Sequence, residues 1–436
     1  MHFLVNPGAV TSGIVTVPGD KSVSHRALML GSIADGQTRV SGFLDGEDCL
    51  ATLAAMRSMG VGIERISDSE LSINGVGRTG LSAPDVELDL GNSGTAMRLM
   101  AGLLAGQPFS STLTGDHSLT GRPMRRIIKP LSAMGARINS RDGMPPLVID
   151  GNPSLTGIDY ALPIASAQVK SSILIAGLYA DGVTTVTEPD VTRDHTERML
   201  RSMGVDVKTD GNRISLEGGQ ELAAANIDVP ADLSSATFVI LAALLADNAE
   251  VVLEKVGVNP TRTGVLDILS SMGADIALEN ERSLAEEPVA DIRVKSSELQ
   301  GEKVDPALVS LAIDEFPALF VAAAAARGTT IFTGLEELRV KESDRIASMA
   351  AGLKALGADV TETDDGAIVK GGGFKSGTVE SFGDHRVAMS LAVAGTVAEG
   401  AVTVLDTQPV ETSFPGFASI LGSLGADIAA GEGAGA

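Results

Sequence analysis

The chain has 436 residues, 44% of them apolar and 20% charged, with a formal net charge of −23. That length holds two or three domains with cores of their own, while the sign of the charge excludes nucleic acid, whose phosphates require a basic surface. Two Tyr and no Trp leave few platforms for stacking bases, so an anionic small molecule remains as partner if cations gather locally against the global sign.

The first residues, MHFLVNPGAV, lack the basic region and long apolar core of a signal peptide. A single cysteine, Cys49, excludes an internal disulfide and fits a reducing compartment. The most apolar runs, FVILAALLA and Leu319 to Ala326, are too short to span a bilayer and read as buried helices. A cytoplasmic protein without membrane contact is expected.

Along the chain one unit repeats. An Ala-rich, nearly all-apolar helix is predicted six times: SVSHRALMLGSIA, SGTAMRLMAGLLA, SAQVKSSILIAGL, LSSATFVILAALLA, DEFPALFVAAAAA and DHRVAMSLAVAGT. Such a helix is buried on most sides. Six amphipathic segments, among them RPMRRIIKPLSAMG and DRIASMAAGLKALG, end at Gly60, Gly135, Gly204, Gly273, Gly357 and Gly425. Glycine there supplies a left-handed C-cap, and a short alternating strand follows each. Six units of roughly 70 residues, each with two helices and three or four strands, account for nearly the whole chain. The tail AAGEGAGA reads as disordered.

TVPGDKS at Thr16 to Ser22 is echoed by DVPADLS at Asp228 to Ser234. Both read as crossovers, giving one domain over about 21–230 and another combining 1–20 with 231–436.

The cations concentrate in Gly/Ser/Thr/Asp-rich turns at helix starts: GDKSVSHR, GNSGTAMR, GDHSLTGRPMRR, ASAQVKSS, VTRDHTER, RVKESDR and GDHR. Free N–H groups and the dipole make a helix N-terminus an anion site, and Arg or Lys adds charge to it. Any one turn could be an ordinary cap; their recurrence at equivalent ends points to several anionic groups bound together. PGDKSVSHR is not a nucleotide loop, because Gly13 and Lys21 lack the Walker spacing. The five scattered histidines, three beside Asp in turns where capping is the common role, form no metal motif, so neither metal nor other cofactor is expected.

Chemistry then falls to side-chain acids and bases. AIDEFPALF sets Asp314 and Glu315 at the start of an apolar helix, where one would be partly desolvated. LRVKESDR packs Arg339, Lys341, Glu342, Asp344 and Arg345 together; if it starts a helix, Lys341 and Arg345 share a face. A surface salt-bridge helix is the plainer reading of that segment alone. Cys49, between acids and an apolar stripe, suits a buried small residue rather than a nucleophile.

Together PGDKSVSHR, GNSGTAMRL, GDHSLTGRPM, ASAQVKSS, TRDHTE, IDEFP, LRVKESDR and GDHR resemble, in order from about residue 6 to 428, the 5-enolpyruvylshikimate-3-phosphate synthase family of enolpyruvyl transferases, class II-like in ASAQVKSS and TRDHTE. The resemblance implies an α/β (α+β) fold of two domains, an inside-out α/β barrel of six βαβαββ repeats, three per domain, closing on substrate at a two-stranded hinge. It implies transfer of the enolpyruvyl group of phosphoenolpyruvate to the 5-hydroxyl of shikimate 3-phosphate, with phosphate released by addition then elimination. It further implies a monomer whose active site lies between the domains.

By the same resemblance, shikimate 3-phosphate is met by Lys21, Ser22, Arg26, Ser166, Ala167, Gln168, Arg193, Asp314 and Lys341. Phosphoenolpyruvate is met by Lys21, Gly94, Arg122, Gln168, Arg345 and Arg386. Asp314, Glu342 and Lys21 carry protons. Gly94, where insensitive relatives have Ala, implies sensitivity to glyphosate. Thr412 and Ser413 stand where many relatives have a Lys, which removes one expected donor contact. A UDP-N-acetylglucosamine enolpyruvyl transferase would need a loop cysteine that GDHSLTGRPM lacks. An inactive anion-binding module is disfavoured by intact Lys21, Asp314, Glu342 and Arg345.

Overall fold

Gly60, Gly135, Gly204, Gly273, Gly357 and Gly425 all have φ between +84° and +105°, a region that only glycine enters at little cost. In the computed structural model, which describes residues 1–151 and 154–431, each closes a short outer helix. These are Glu47–Ser58, Arg125–Ala133, His195–Ser202, Gly264–Ser271, Arg345–Ala355 and Phe417–Ser423. The six apolar segments are helices as well: Lys21–Ser32, Gly94–Ala105, Ala167–Gly177, Leu233–Leu245, Phe316–Ala325 and His385–Thr396. In Leu233–Leu245 every residue from Leu233 to Leu244 is buried, as an unbroken apolar surface requires.

The chain divides into two units. The middle unit comprises Gly19–Val229 with Ser283–Glu287, and the flanking unit Met1–Pro18, Pro230–Arg282 and Pro288–Ala436. Each has its own apolar core, built around three of the buried helices. In the middle unit Gly94–Ala105 and Ala167–Gly177 approach so closely that a Cβ on Gly102 would fall 2.2 Å from the Ser172 carbonyl oxygen.

Around the middle core lie three four-stranded sheets with one pairing scheme. The first runs Asn226–Asp228, Asp35–Ser41, Glu70–Val76, Gly62–Arg65, with a parallel first pair and two antiparallel pairs after it. The other two repeat that order of directions. In the flanking unit the last sheet runs Gly377–Glu380, Val402–Leu405, His2–Val5, Ile428–Gly431, so an N-terminal strand stands between two C-terminal ones.

The expectation of a disordered AAGEGAGA tail needs correction at its start. Ala429, Ala430 and Gly431 continue a strand, opposite Leu4, Phe3 and His2, because the N-terminal strand satisfies their backbone groups. Residues 432–436 lie outside the described residues. Cys49 is fully buried, as expected. Among the described residues no helix is long and apolar enough to cross a membrane, and no group of His, Cys, Asp and Glu could hold a metal ion.

Candidate active site

In the middle unit, side chains one turn in tie three inner-helix N-termini together. His25 Nε2 meets Ser93 Oγ at 3.1 Å and its Nδ1 meets Thr52 Oγ1 at 2.8 Å. Arg26 Nη2 donates to Ser171 Oγ at 2.8 Å and its Nε to Thr196 Oγ1 at 2.7 Å. Arg98 donates to Gln168, whose amide donates to Thr95 Oγ1 at 2.9 Å. Asp20, Ser93 and Ser166 cap the three helices. The first-turn N–H groups they leave over suit an anion.

Cations surround those termini. Lys21 opens the first helix and pairs with buried Asp48 at 2.6 Å. Arg122, almost buried, donates to Asn92 Oδ1 at 2.6 Å and Ser118 Oγ at 3.1 Å. A Cβ on Gly94 would come within 3.0 Å of Arg98 Nη1 and 3.2 Å of Arg122 Nη1. Arg193, half-buried ahead of His195–Ser202, is near enough to act on Arg26 electrostatically. Burial pushes the Arg26 guanidinium down to about 10, against the pull of Glu197 and Asp20. The structure therefore gathers Lys21, Ser22, Arg26, Gly94, Arg122, Ser166, Ala167, Gln168 and Arg193 around the helix ends of this unit.

The flanking unit assembles the rest. Arg345, at the start of its helix and 2% exposed, is clasped by three carboxylates. They are Asp384 at 2.8 Å, Glu342 at 2.5 Å and Asp314 at 3.3 Å. Burial alone would weaken the cation, but Asp384, Glu342 and Asp314 hold its pKa above the usual arginine value. Lys341 reaches the same Asp314 oxygen at 3.6 Å. Arg386 donates to the Asp314 carbonyl oxygen at 3.0 Å and lies 3.8 Å from Glu315. Of the DE pair, Glu315 is the desolvated member, held by Arg262 and Ser234, while Asp314 keeps 14% of its side chain exposed.

Two expectations change here. Lys341 and Arg345 share no helical face: Glu336–Val340 is a 3-10 turn, and the helix starts only at Arg345, where the Asp344 side chain caps it. The two cations meet through Asp314 instead. Nor is LRVKESDR a surface helix, since Arg345 is buried. Three contributors escaped the sequence reading. Asp48 anchors Lys21, Arg98 fixes Gln168, and Asp384 caps its own helix while pairing with Arg345. Arg98 and Asp384 lay inside quoted motifs without a role; Asp48 had no local signal, since its partner is 27 residues away.

Buried His25 gives this region a pH signature. Desolvation, then the charges of Lys21 and Arg26, push it down to about 3, with Asp20 opposing. The unfolded chain takes up that proton first, so the contribution is complete above about pH 6.5 and is lost as pH falls. By pH 5 the loss is about 2 kcal/mol. Urea midpoints at pH 7.5 and 5 should differ less in His25→Gln than in the parent; equal differences would refute the assignment.

The EPSP synthase (3-phosphoshikimate 1-carboxyvinyltransferase) family model matches residues 5–421. The chain belongs to the EPSP synthase family. It is 56% identical over 427 residues to the 3-phosphoshikimate 1-carboxyvinyltransferase of Methylococcus capsulatus, covering 98% of both chains. The Acidithiobacillus ferrooxidans enzyme of that name is 58% identical over 419 residues, 96% of each chain. The EPSP synthase structure from Acinetobacter baumannii superposes with a TM-score of 0.89 at 54% identity, covering 99% of this chain and 100% of that one. As an EPSP synthase the chain is a 3-phosphoshikimate 1-carboxyvinyltransferase of the shikimate pathway.

Proposed function

We propose that the two constellations divide the reaction. The helix ends of the middle unit receive shikimate 3-phosphate: Arg26 meets its carboxylate, Ser166, Ala167 and Arg193 its phosphate, and Ser22 and Gln168 complete the contacts. Arg26 commits three donors to Thr196, Ser171 and the Ser22 carbonyl; of its five N–H groups two remain for a carboxylate. Phosphoenolpyruvate is held by Lys21, Gly94, Arg122, Gln168, Arg345 and Arg386, with Lys341 and Asp314 turned to the acceptor. The enzyme acts as a cytoplasmic monomer.

In the addition step Asp314 takes the 5-hydroxyl proton while that oxygen attacks C2 of phosphoenolpyruvate. Glu342 or Lys21 delivers a proton to the methylene carbon, giving a tetrahedral phosphate adduct. Elimination returns the methylene proton to the enzyme and expels phosphate, restoring the double bond. The observation that carries this reading is the Arg345 cluster, where one buried cation orders two carboxylates, Asp314 and Glu342, beside Lys341 and Arg386. General acid–base groups need such fixed geometry.

Initial-rate kinetics with both substrates varied test the division. Gly94→Ala presses a methyl against Arg98 and Arg122 and should raise KM for phosphoenolpyruvate. It should weaken inhibition by the longer glyphosate by about tenfold or more, as expected for one methyl in a tight pocket. Arg193→Ala should raise KM for shikimate 3-phosphate by about tenfold or more, the loss expected for a charge-assisted contact. The reverse pattern would overturn the assignment, as would full activity of the parent with UDP-N-acetylglucosamine as acceptor.

A further inference from the structure

Lys170 belongs to the ASAQVKSS stretch, and its ammonium bonds to none of the residues assigned to substrate. It lies one helical turn beyond Ser166, yet its side chain is only 1% exposed. Its ammonium meets Glu188 at 2.9 Å, Glu197 at 2.8 Å and the Thr192 carbonyl oxygen at 3.2 Å. The Thr192 hydroxyl donates in turn to the second oxygen of Glu188. Glu188, Thr192 and Glu197 are each 5% exposed or less.

The cluster is costly by ordinary standards, since an apolar side chain of similar size would avoid desolvating three charges. Burial works against the ammonium, but Glu197 and Glu188 hold its pKa above the usual lysine value. The charge balances one residue further out, where Arg26 feels Glu197. What the cluster gains is position. Thr192 directly precedes Arg193, so a bond to its carbonyl fixes the peptide from which Arg193 springs. Glu188 grips the same residue from its side chain, and Glu197 ties in the helix that follows.

We propose that Lys170 is a positioning residue for the phosphate of shikimate 3-phosphate, setting Arg193 at a fixed place relative to the Ser166–Ala167 helix end. This rests on the reading that Ser166, Ala167 and Arg193 hold that phosphate. A ligand lacking the phosphate is indifferent to where Arg193 stands, which separates positioning from mere stability.

Calorimetric titration of shikimate 3-phosphate and of shikimate is the test, on the parent, Lys170→Met, Lys170→Met/Glu188→Gln and Arg193→Ala. The double variant removes one buried carboxylate together with the cation, so a folded protein is available if the single one does not fold. The ratio of shikimate Kd to shikimate 3-phosphate Kd is expected to fall by about tenfold or more in the Lys170 variants, the scale of one charge-assisted contact. Affinity for shikimate itself should stay within about twofold, because its contacts are untouched. An unchanged ratio in folded Lys170 variants, with Arg193→Ala collapsing it, overturns the inference alone; so does an equal loss for both ligands. An unchanged ratio in Arg193→Ala overturns the phosphate-site reading and the inference with it.

Discussion

Asp314→Asn is expected to lower kcat by about 10²- to 10⁴-fold, the usual worth of a positioned acid or base, with far smaller changes in either KM. The substitution keeps size and shape, so Arg345 and Lys341 still find an oxygen where they now meet Asp314 Oδ1 at 3.3 and 3.6 Å. What disappears is the ability to take up the hydroxyl proton. Phosphate release under saturation with both substrates measures the loss. A kcat within about threefold of the parent would remove Asp314 from the proton path, since that is below even the weakest general-base contributions.

Arg345→Met is expected to be the most damaging single change to stability. One buried cation faces Asp384, Glu342 and Asp314, and Asp384 has no exposed surface. Removing it strands carboxylates in a desolvated place, at a cost of about 3–5 kcal/mol for breaking a buried charge cluster from one side. The sign with pH is fixed as well. A buried carboxylate without its cation has a raised pKa in the folded state, so the variant recovers stability as pH falls and loses it as pH rises. Urea denaturation at pH 5 and pH 8 should show a larger deficit at the higher pH. A deficit below about 1 kcal/mol, the level of an exposed pair, would mean that the cluster is not sealed.

What the sequence disclosed is what local chemistry dictates. The six glycines were legible because a positive φ is required two residues after the last helical one, and no other residue meets it so cheaply. The inner helices were legible because a surface apolar all round has only one place to go. Pairings between distant residues leave no period and no motif. Asp48 reads as a carboxylate beside Cys49, and nothing nearby announces that Lys21 will reach it. Arg345 with its partners Asp314 and Asp384, 31 and 39 residues away, is likewise decided only when the helices pack. The misreading of LRVKESDR has a local cause instead. A helix through Lys341 would have put it on one face with Arg345, but the Asp344 side chain caps the backbone and starts the helix at Arg345. That local bond outweighs any helical pairing between Lys341 and Arg345.

The strand His2–Val5 lies between Val402–Leu405 and Ile428–Gly431. During synthesis on the ribosome its partners, Val402–Leu405 and Ile428–Gly431, are therefore made long after it. Residues 2–5 must wait, unpaired and with Phe3 and Val5 uncovered, until those two strands have emerged. Closing so long a loop is slow. Nearly all of the middle unit is one uninterrupted stretch of chain, and that stretch faces no such delay. Emergence of Val402–Leu405 and Ile428–Gly431 thus sets when this sheet can form.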